Sequence, residues 1–286
     1  MGTLSVIIPA WNRADVIGSA IDSVLAQSVS DTNWSLQIVV VDDASTDGLA
    51  DVLHTYGGRI TCIRHQENKG AAAARNSGIA VAKGDLIAFL DSDDVWLPGK
   101  LEAQIAFMQA NGYVATCTAC RLARTGASDI VWPQYATGSV SHSALLWGCF
   151  LSPGSTMICE PRIFEEIGMF DADLPRHEDW DWLLRLTRRY PLGYLAKPLA
   201  RREPSAYTNT HETLAVLGKI ASKHSGSLSA RERRHFEAAL LLEAGAAHYR
   251  QGHWFRALRE LIKSVSMTPF EHVGLRTVLS SRLRGR

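Results

Sequence analysis

Four short apolar runs, each followed by a cluster of polar residues and then by a helix-like segment, limit what this chain can fold into more than any other feature. Leu4–Ile8, Leu36–Val41, Ile60–Arg64 and Leu86–Leu90 read as strands. Between them, the segment Ala14–Gln27 puts Val16, Ile17, Ala20, Ile21, Val24 and Leu25 on one helical face. Thr46–Tyr56 reads as a helix capped by Ser45 or Thr46, and Gly70–Ala82 as an Ala-rich helix. A β-α-β-α-β-α-β order implies an α/β fold with a mainly parallel sheet and helices on both faces. Right-handed crossovers bring the C-terminal ends of the strands to one rim, where such sheets bind ligands.

The residues just after each strand therefore carry the functional information. They are Pro9-Ala10-Trp11-Asn12-Arg13, Asp42-Asp43-Ala44-Ser45-Thr46-Asp47-Gly48, Glu67-Asn68-Lys69-Gly70 running into Ala74-Arg75-Asn76, and Asp91-Ser92-Asp93-Asp94. Two carboxylates one residue apart, Asp91 and Asp93, can share a hard divalent cation and leave positions open for phosphate. The plainer reading is a solvated acidic turn capping a helix over Pro98–Asn111. Asp42-Asp43 offers an acceptor for a nucleobase or ribose donor, or a dipole partner for the next helix; Asp47 reads as structural. Lys69 and Arg75 are placed to meet phosphates, or stand as ordinary helix residues.

Two common nucleotide signatures are missing. No G-x-G-x-x-G follows the first strand, and no G-x-x-x-x-G-K-[ST] occurs, which argues against a dinucleotide oxidoreductase and a P-loop enzyme. Net charge is +1, so no overall field favours nucleic acid. Five cysteines make no disulfide framework, and Cys117-x-x-Cys120 reads as packing in a reducing compartment. The chain opens directly on its first strand without a basic leader, and no apolar run reaches the ~18 residues of a membrane span. The expectation is a cytoplasmic protein that at most touches a membrane surface.

Downstream, Ser155–Glu160 reads as a strand, Pro161–Ile167 as a helix, His177–Tyr190 as a helix and Leu192–Ala196 as a strand. In His177-Glu178-Asp179-Trp180-Asp181-Trp182, acids at a helix start satisfy the dipole. Aromatic faces beside a carboxylate also suit a sugar ring whose hydroxyl gives up a proton. Trp180 and Trp182 do not share a helix face, so one is expected in the core and the other, with Glu178, at an acceptor site.

Taken together and in order, these segments resemble glycosyltransferase family 2, whose fold is the Rossmann-like GT-A sheet. The resemblance runs from about Leu4 to Tyr207 and rests on Ser5–Asn12, Val40–Gly48, Asn68–Gly78, Leu90–Asp94 and His177–Asp179. It implies an inverting, metal-dependent transfer from a nucleotide-diphosphate sugar, uridine being the usual base, to a glycan or lipid-linked acceptor in surface polysaccharide synthesis. Pro9, Ala10 and Trp11 would lie along the nucleoside, Asp43 would accept from the base, and Lys69, Gly70 and Arg75 would line the base and phosphates. Asp91 would sit by the ribose and metal, Asp93 would coordinate Mn²⁺ or Mg²⁺, and Asp179 would be the general base. Many members carry a Tyr-Arg-x-His stretch; here Ala200-Arg201-Arg202-Glu203 puts Glu203 in place of the His, with His211 further on. The Q-x-x-R-W motif of processive synthases is absent, which implies single-sugar transfer. A sugar-phosphate nucleotidylyltransferase and a non-catalytic nucleotide-sugar or glycan-binding protein are the alternatives.

The expected division is a catalytic domain over 1–210 and a helical region over 211–286. Gly245, Gly252, Ala257, Leu261 and Pro269 follow the spacing of one tetratricopeptide unit. A single unit does not bury its own face, since solenoids need at least ~3 repeats. A pair packed on the first domain or a homodimer contact is therefore expected. The stretch Arg276–Arg286 carries Arg276, Arg282, Arg284 and Arg286 among apolar residues. It reads either as a peripheral anchor on anionic lipid or as a frayed basic end.

Overall fold

The computed structural model describes residues 2–27, 34–203 and 209–268. The elements run β1 (Gly2–Ala10), α1 (Ile17–Leu25), β2 (Trp34–Asp42), α2 (Leu49–His54), β3 (Thr61–Arg64), α3 (Gly70–Val81) and β4 (Leu86–Phe89). Next come β5 (Val95–Trp96), α4 (Lys100–Asn111), β6 (Ala115–Leu122), β7 (Ile130–Trp132), β8 (Gly138–Val140), α5 (His142–Leu145) and α6 (Pro153–Thr156). The chain continues with β9 (Ile158–Cys159), α7 (Arg162–Ile167), α8 (Glu178–Thr187), β10 (Leu192–Arg202), α9 (Thr210–His224), α10 (Ala230–Arg250) and α11 (Trp254–Met267).

The chain divides into two compact units, Met1–Val140 with Leu151–Glu203, and Ser141–Phe150 with Pro204–Arg286. In the first, the sheet order is β3-β2-β1-β4-β9-β6-β10-β5, with β7 on β6 and β8 on β10. β1, β2, β3 and β4 pair in parallel, as β6 does with β10, while β9 is antiparallel to both of its neighbours. β1 is buried from Leu4 to Ala10 because both its faces are covered, and so it reads as one continuous apolar run.

Several local expectations change. Ser155–Glu160 is a short helix followed by a two-residue strand, because Pro153 starts a helical turn and Thr156 Oγ1 donates back to Ser152 O at 2.8 Å. The helix expected from Thr46 begins at Leu49. Its first N–H is met by Asp47 Oδ1 at 3.1 Å, so Asp47 takes the place of Ser45 or Thr46. β6 has no counterpart in the hydropathy pattern: its sequence, ATCTACRL, holds few large aliphatics although its first six residues are buried. Cys117 and Cys120 lie within it as free buried thiols, and burial pushes Cys117 up to about 12.

In the second unit, α10 starts with a capping box between Ser229 and Glu232. Gly245 lets α11 approach closely, since a Cβ there would sit 3.3 Å from Ala257 O. Gly252, at φ +77°, turns the chain between the two helices. Ser264 Oγ donates to Ala238 O at 2.7 Å, and Trp147 stacks on His235 at 4.4 Å. Pro269 and the basic stretch Arg276–Arg286 lie outside the described residues.

Candidate active site

The parallel register sets Ala10 beside Asp42 and Ile7 beside Phe89, so the loops after β1, β2 and β4 leave the sheet side by side. Asn12 ties the first two together: its N–H donates to Ser45 Oγ at 2.9 Å, and its Oδ1 accepts from Thr46 N at 2.8 Å. Asn12, Ala44 and His177 are the non-glycine residues with positive φ among those described, at 51°, 61° and 57°. The first two sit at this rim and the third starts α8. A non-glycine residue held there costs about 1–3 kcal/mol, and such strain gathers at functional sites.

Asp42 and Asp43 hold the rim in shape. Asp42 accepts from Ser45 N at 2.8 Å and pairs with Arg64. Asp43 is nearly closed to solvent. It accepts from Lys69 N and Gly70 N, at 2.9 and 2.7 Å, and pairs with His65 Nδ1 at 2.6 Å. Three donors thus fill most of a carboxylate's roughly four acceptor positions, and Asp43 serves first as the pin of the α3 N-terminus. Pro9 and Ala10 are buried at the end of β1, Trp11 is half exposed beyond them, and the Lys69 side chain points to solvent.

The acidic turn after β4 is built around two arginines, Arg75, which is buried, and Arg202, which is partly exposed. Arg75, on α3, donates from Nη2 to Asp91 Oδ1 at 2.7 Å and from Nη1 to Glu178 Oε1 at 2.6 Å. It is buried, with only Nε lacking a hydrogen-bond partner. Arg75, expected to line the phosphates, gives one N–H from each terminal nitrogen to a carboxylate and so clamps Asp91 to Glu178. Arg202 donates to Asp94 Oδ2 at 3.1 Å and to Ser152 Oγ at 2.8 Å. Burial alone would raise the Asp91 pKa, but Arg75 and Arg202 outweigh it and hold the carboxyl low. Burial pushes Asp94 up to about 6 against the pull of Arg202. Asp93 is raised by burial and then by Asp91, with Arg13 Nη2 opposing from 3.5 Å. Gly154 leaves room for this turn: a Cβ there would lie 2.6 Å from Asp91 Oδ2.

α8 delivers the remaining acid. Asp179 is half-buried, and its Oδ1 accepts from Trp180 N at 2.7 Å. Burial, followed by the charge of Glu178, pushes its carboxyl up to about 7 despite Arg75. Glu178 is buried and engaged by Arg75, so it is a strut rather than an acceptor contact. Trp180 and Trp182 are both fully buried, so neither indole offers a face to an acceptor. Trp182 packs on Phe164 and Phe170, at 5.1 and 5.5 Å, and donates to Gly168 O. The helix is covered nearly all round, which the two-sided spacing of the tryptophans does not reveal.

After burial, the charge of Asp91 adds to the cost of ionising Asp93, the situation a divalent cation relieves. Among the described residues no third His, Cys, Asp or Glu joins them. Glu203 is engaged by Arg201, and its N–H donates to Asp94 Oδ1. Such a sparse donor set fits a cation held by one or two carboxylates and otherwise by diphosphate and water. Arg13, Asp94, Gly154 and Arg202 were not read as site residues from sequence. Arg13 and Asp94 stood among the strand-end residues without a role of their own, Arg202 stood beside the departure at Glu203, and nothing in the sequence pointed to Gly154.

The chain matches the family model described as Glycosyl transferase family 2 over residues 5–168. It is 30% identical over 241 residues to the UDP-Glc:alpha-D-GlcNAc-diphosphoundecaprenol beta-1,3-glucosyltransferase WfaP of Escherichia coli, covering 80% of this chain and 81% of that protein. Its structure is similar to S. aureus TarS 1-349 in complex with UDP-GlcNAc, with TM-score 0.69 and 20% identity over 98% of this chain and 89% of the other. Against a longer TarS chain it spans 49% of the length. It is also similar to the mannosyltransferase PcManGT of Pyrobaculum calidifontis in complex with GDP-Man and Mn²⁺, with TM-score 0.61 and 17% identity over 98% and 87% of the two chains.

Proposed function

The chain belongs to glycosyl transferase family 2 and has the GT-A fold, and on that premise we propose that it is an inverting transferase. It moves a sugar from a UDP-sugar to a hydroxyl of a lipid-diphosphate-linked acceptor. The observation that carries this reading is Asp179: a carboxyl held near neutrality, next to a turn of acids and arginines at the strand ends. A base poised close to the working pH is the one best able to take a proton from a hydroxyl.

In the proposed reaction the Asp179 carboxylate takes the acceptor hydroxyl proton while that oxygen attacks C1 of the donor. The bond from C1 to the diphosphate oxygen breaks, and UDP leaves with its electron pair. One displacement from the face opposite the leaving group inverts the anomeric centre, through a transition state of oxocarbenium character like that of glycoside hydrolysis. Asp93, with Asp91 beside it, would hold Mn²⁺ or Mg²⁺, which supplies positive charge to the departing diphosphate. Trp11 and the remaining acceptor position of Asp43 would meet the nucleoside, and Lys69 the phosphates. Arg75 and Glu178 position Asp91 and Asp179. The first compact unit would then be the catalytic domain.

UDP as the carrier and a lipid-linked acceptor are supported by the similarity to WfaP, a UDP-Glc:alpha-D-GlcNAc-diphosphoundecaprenol glucosyltransferase, and to TarS in complex with UDP-GlcNAc. Purified protein incubated with UDP-glucose, UDP-N-acetylglucosamine and an undecaprenyl-diphosphate sugar tests it. Formation of a disaccharide of opposite anomeric configuration, read by NMR, is expected. Retained configuration, or nucleotide-sugar binding with neither transfer nor donor hydrolysis, would overturn the reading.

A further inference from the structure

Among the described residues, the four most exposed large apolar side chains lie on one helix of the second unit. Phe255 is 92% exposed, Ile262 59%, and Trp254 and Leu258 53% each. All four belong to α11, the helix Trp254–Met267. At 3.6 residues per turn they fall within about a quarter of the helix circumference. The same helix turns Glu260 and Ser264 inward and sets Ala257 against Gly245. Its apolar arc is thus wider than the surface α10 covers, and the part that no described residue covers is a continuous stripe. Scattered exposed apolar residues need no explanation, but a stripe of four on one helix marks a contact surface.

The charges beside the stripe indicate what kind of contact. Arg256, Arg259 and Lys263 follow on the next part of the circumference. Glu260 offsets one of them through contacts with Arg259 and Lys263, at 2.6 and 3.6 Å, which leaves a net positive margin. The chain beyond Thr268 carries Arg276, Arg282, Arg284 and Arg286 against Glu271, so by charge it is a poor match for this margin. A second copy would likewise bring cation to cation. A surface that is apolar just below and negative at its edge matches both features. We propose that α11 docks in the plane of an anionic lipid bilayer, with Phe255, Leu258, Ile262 and Trp254 in the acyl boundary and Arg256, Arg259 and Lys263 at the phosphates. None of the described helices is long and apolar enough to cross a membrane, so this contact is peripheral. It rests on the second unit alone and stands or falls separately from the sugar-transfer reading.

The test is flotation of the full chain with vesicles of phosphatidylcholine alone and of phosphatidylcholine containing phosphatidylglycerol. The wild type is expected to float with the anionic vesicles, less so in high salt, and to stay behind with the neutral ones. Phe255→Ser, which removes a side chain standing in solvent, and the double variant Phe255→Asp, Ile262→Asp should lower the bound fraction roughly tenfold or more while circular dichroism is unchanged. No binding to anionic vesicles, or binding unaltered in a folded variant, overturns the proposal. So does a wild-type dimer in sedimentation that Phe255→Ser dissociates, because the stripe then belongs to a second copy.

Discussion

Arg75 Nη2 lies 2.7 Å from Asp91 Oδ1 inside the protein, and the same guanidinium reaches Glu178 through Nη1. One cation from α3 therefore fixes the acidic turn after β4 to the start of α8, which carries Asp179. Two carboxylates depend on it, so Arg75→Met strands both. Removing one partner of a buried ion pair costs about 3–5 kcal/mol, and at least this loss is expected in urea denaturation near neutral pH. The loss should shrink in acid, where the stranded carboxylates take up protons.

Glu178 raises the Asp179 pKa by its charge. Glu178→Gln keeps an acceptor for Arg75 and removes that charge, so the Asp179 pKa should fall. The acidic limb of the pH–kcat profile then moves to lower pH than in the wild type, with a reduced plateau if the clamp loosens. A limb that stays in place would remove Glu178 from the electrostatics of the base.

The same shift predicts a stability difference. The Asp179 pKa is raised from 3.8 to about 7 in the folded state. Between those values the folded protein holds the proton more tightly than the unfolded chain, so stability falls as pH rises through this window. Asp179→Asn has no such dependence. It should melt at a higher temperature than the wild type well above neutral pH, by ~2–4 °C for each kcal/mol relieved, with the advantage fading toward about pH 4. Thermal denaturation at the two extremes reads this directly.

Burial, and after it the charge of Asp91, raises the Asp93 pKa, a cost that a divalent cation would offset. Calorimetry of UDP binding is expected to need Mn²⁺ or Mg²⁺ and to weaken sharply with EDTA. Asp93→Ala should lose the metal-dependent part of the heat while the protein stays folded, since Asp93 is partly exposed.

The parallel half of the sheet was legible because β1, β2 and β4 are buried on both faces and announce themselves as apolar runs. β6 was not, since Thr, Cys and Ala bury as well as Val or Ile once neighbours cover them. The acids at the strand ends were legible from topology alone. Their partners were not: Arg75 is 16 residues from Asp91 and 103 from Glu178, and no local pattern joins α3 to α8. Hence the sequence offered Arg75 as a phosphate contact or an ordinary helix residue, and its clamp between two carboxylates was not legible. The tryptophans of α8 misled for a related reason. Helical spacing shows that two side chains diverge, not that both sides are covered.

The pH dependence of kcat for the wild type and for Asp179→Asn, with donor and acceptor saturating, tests the central claim most directly. The wild-type rate should rise roughly tenfold per pH unit below an apparent pKa near 7 and level off above it. The variant should lose that limb and fall by roughly 10²–10⁴-fold while still binding UDP. A variant that keeps both the limb and a near-normal rate would contradict the assignment of Asp179 as the base.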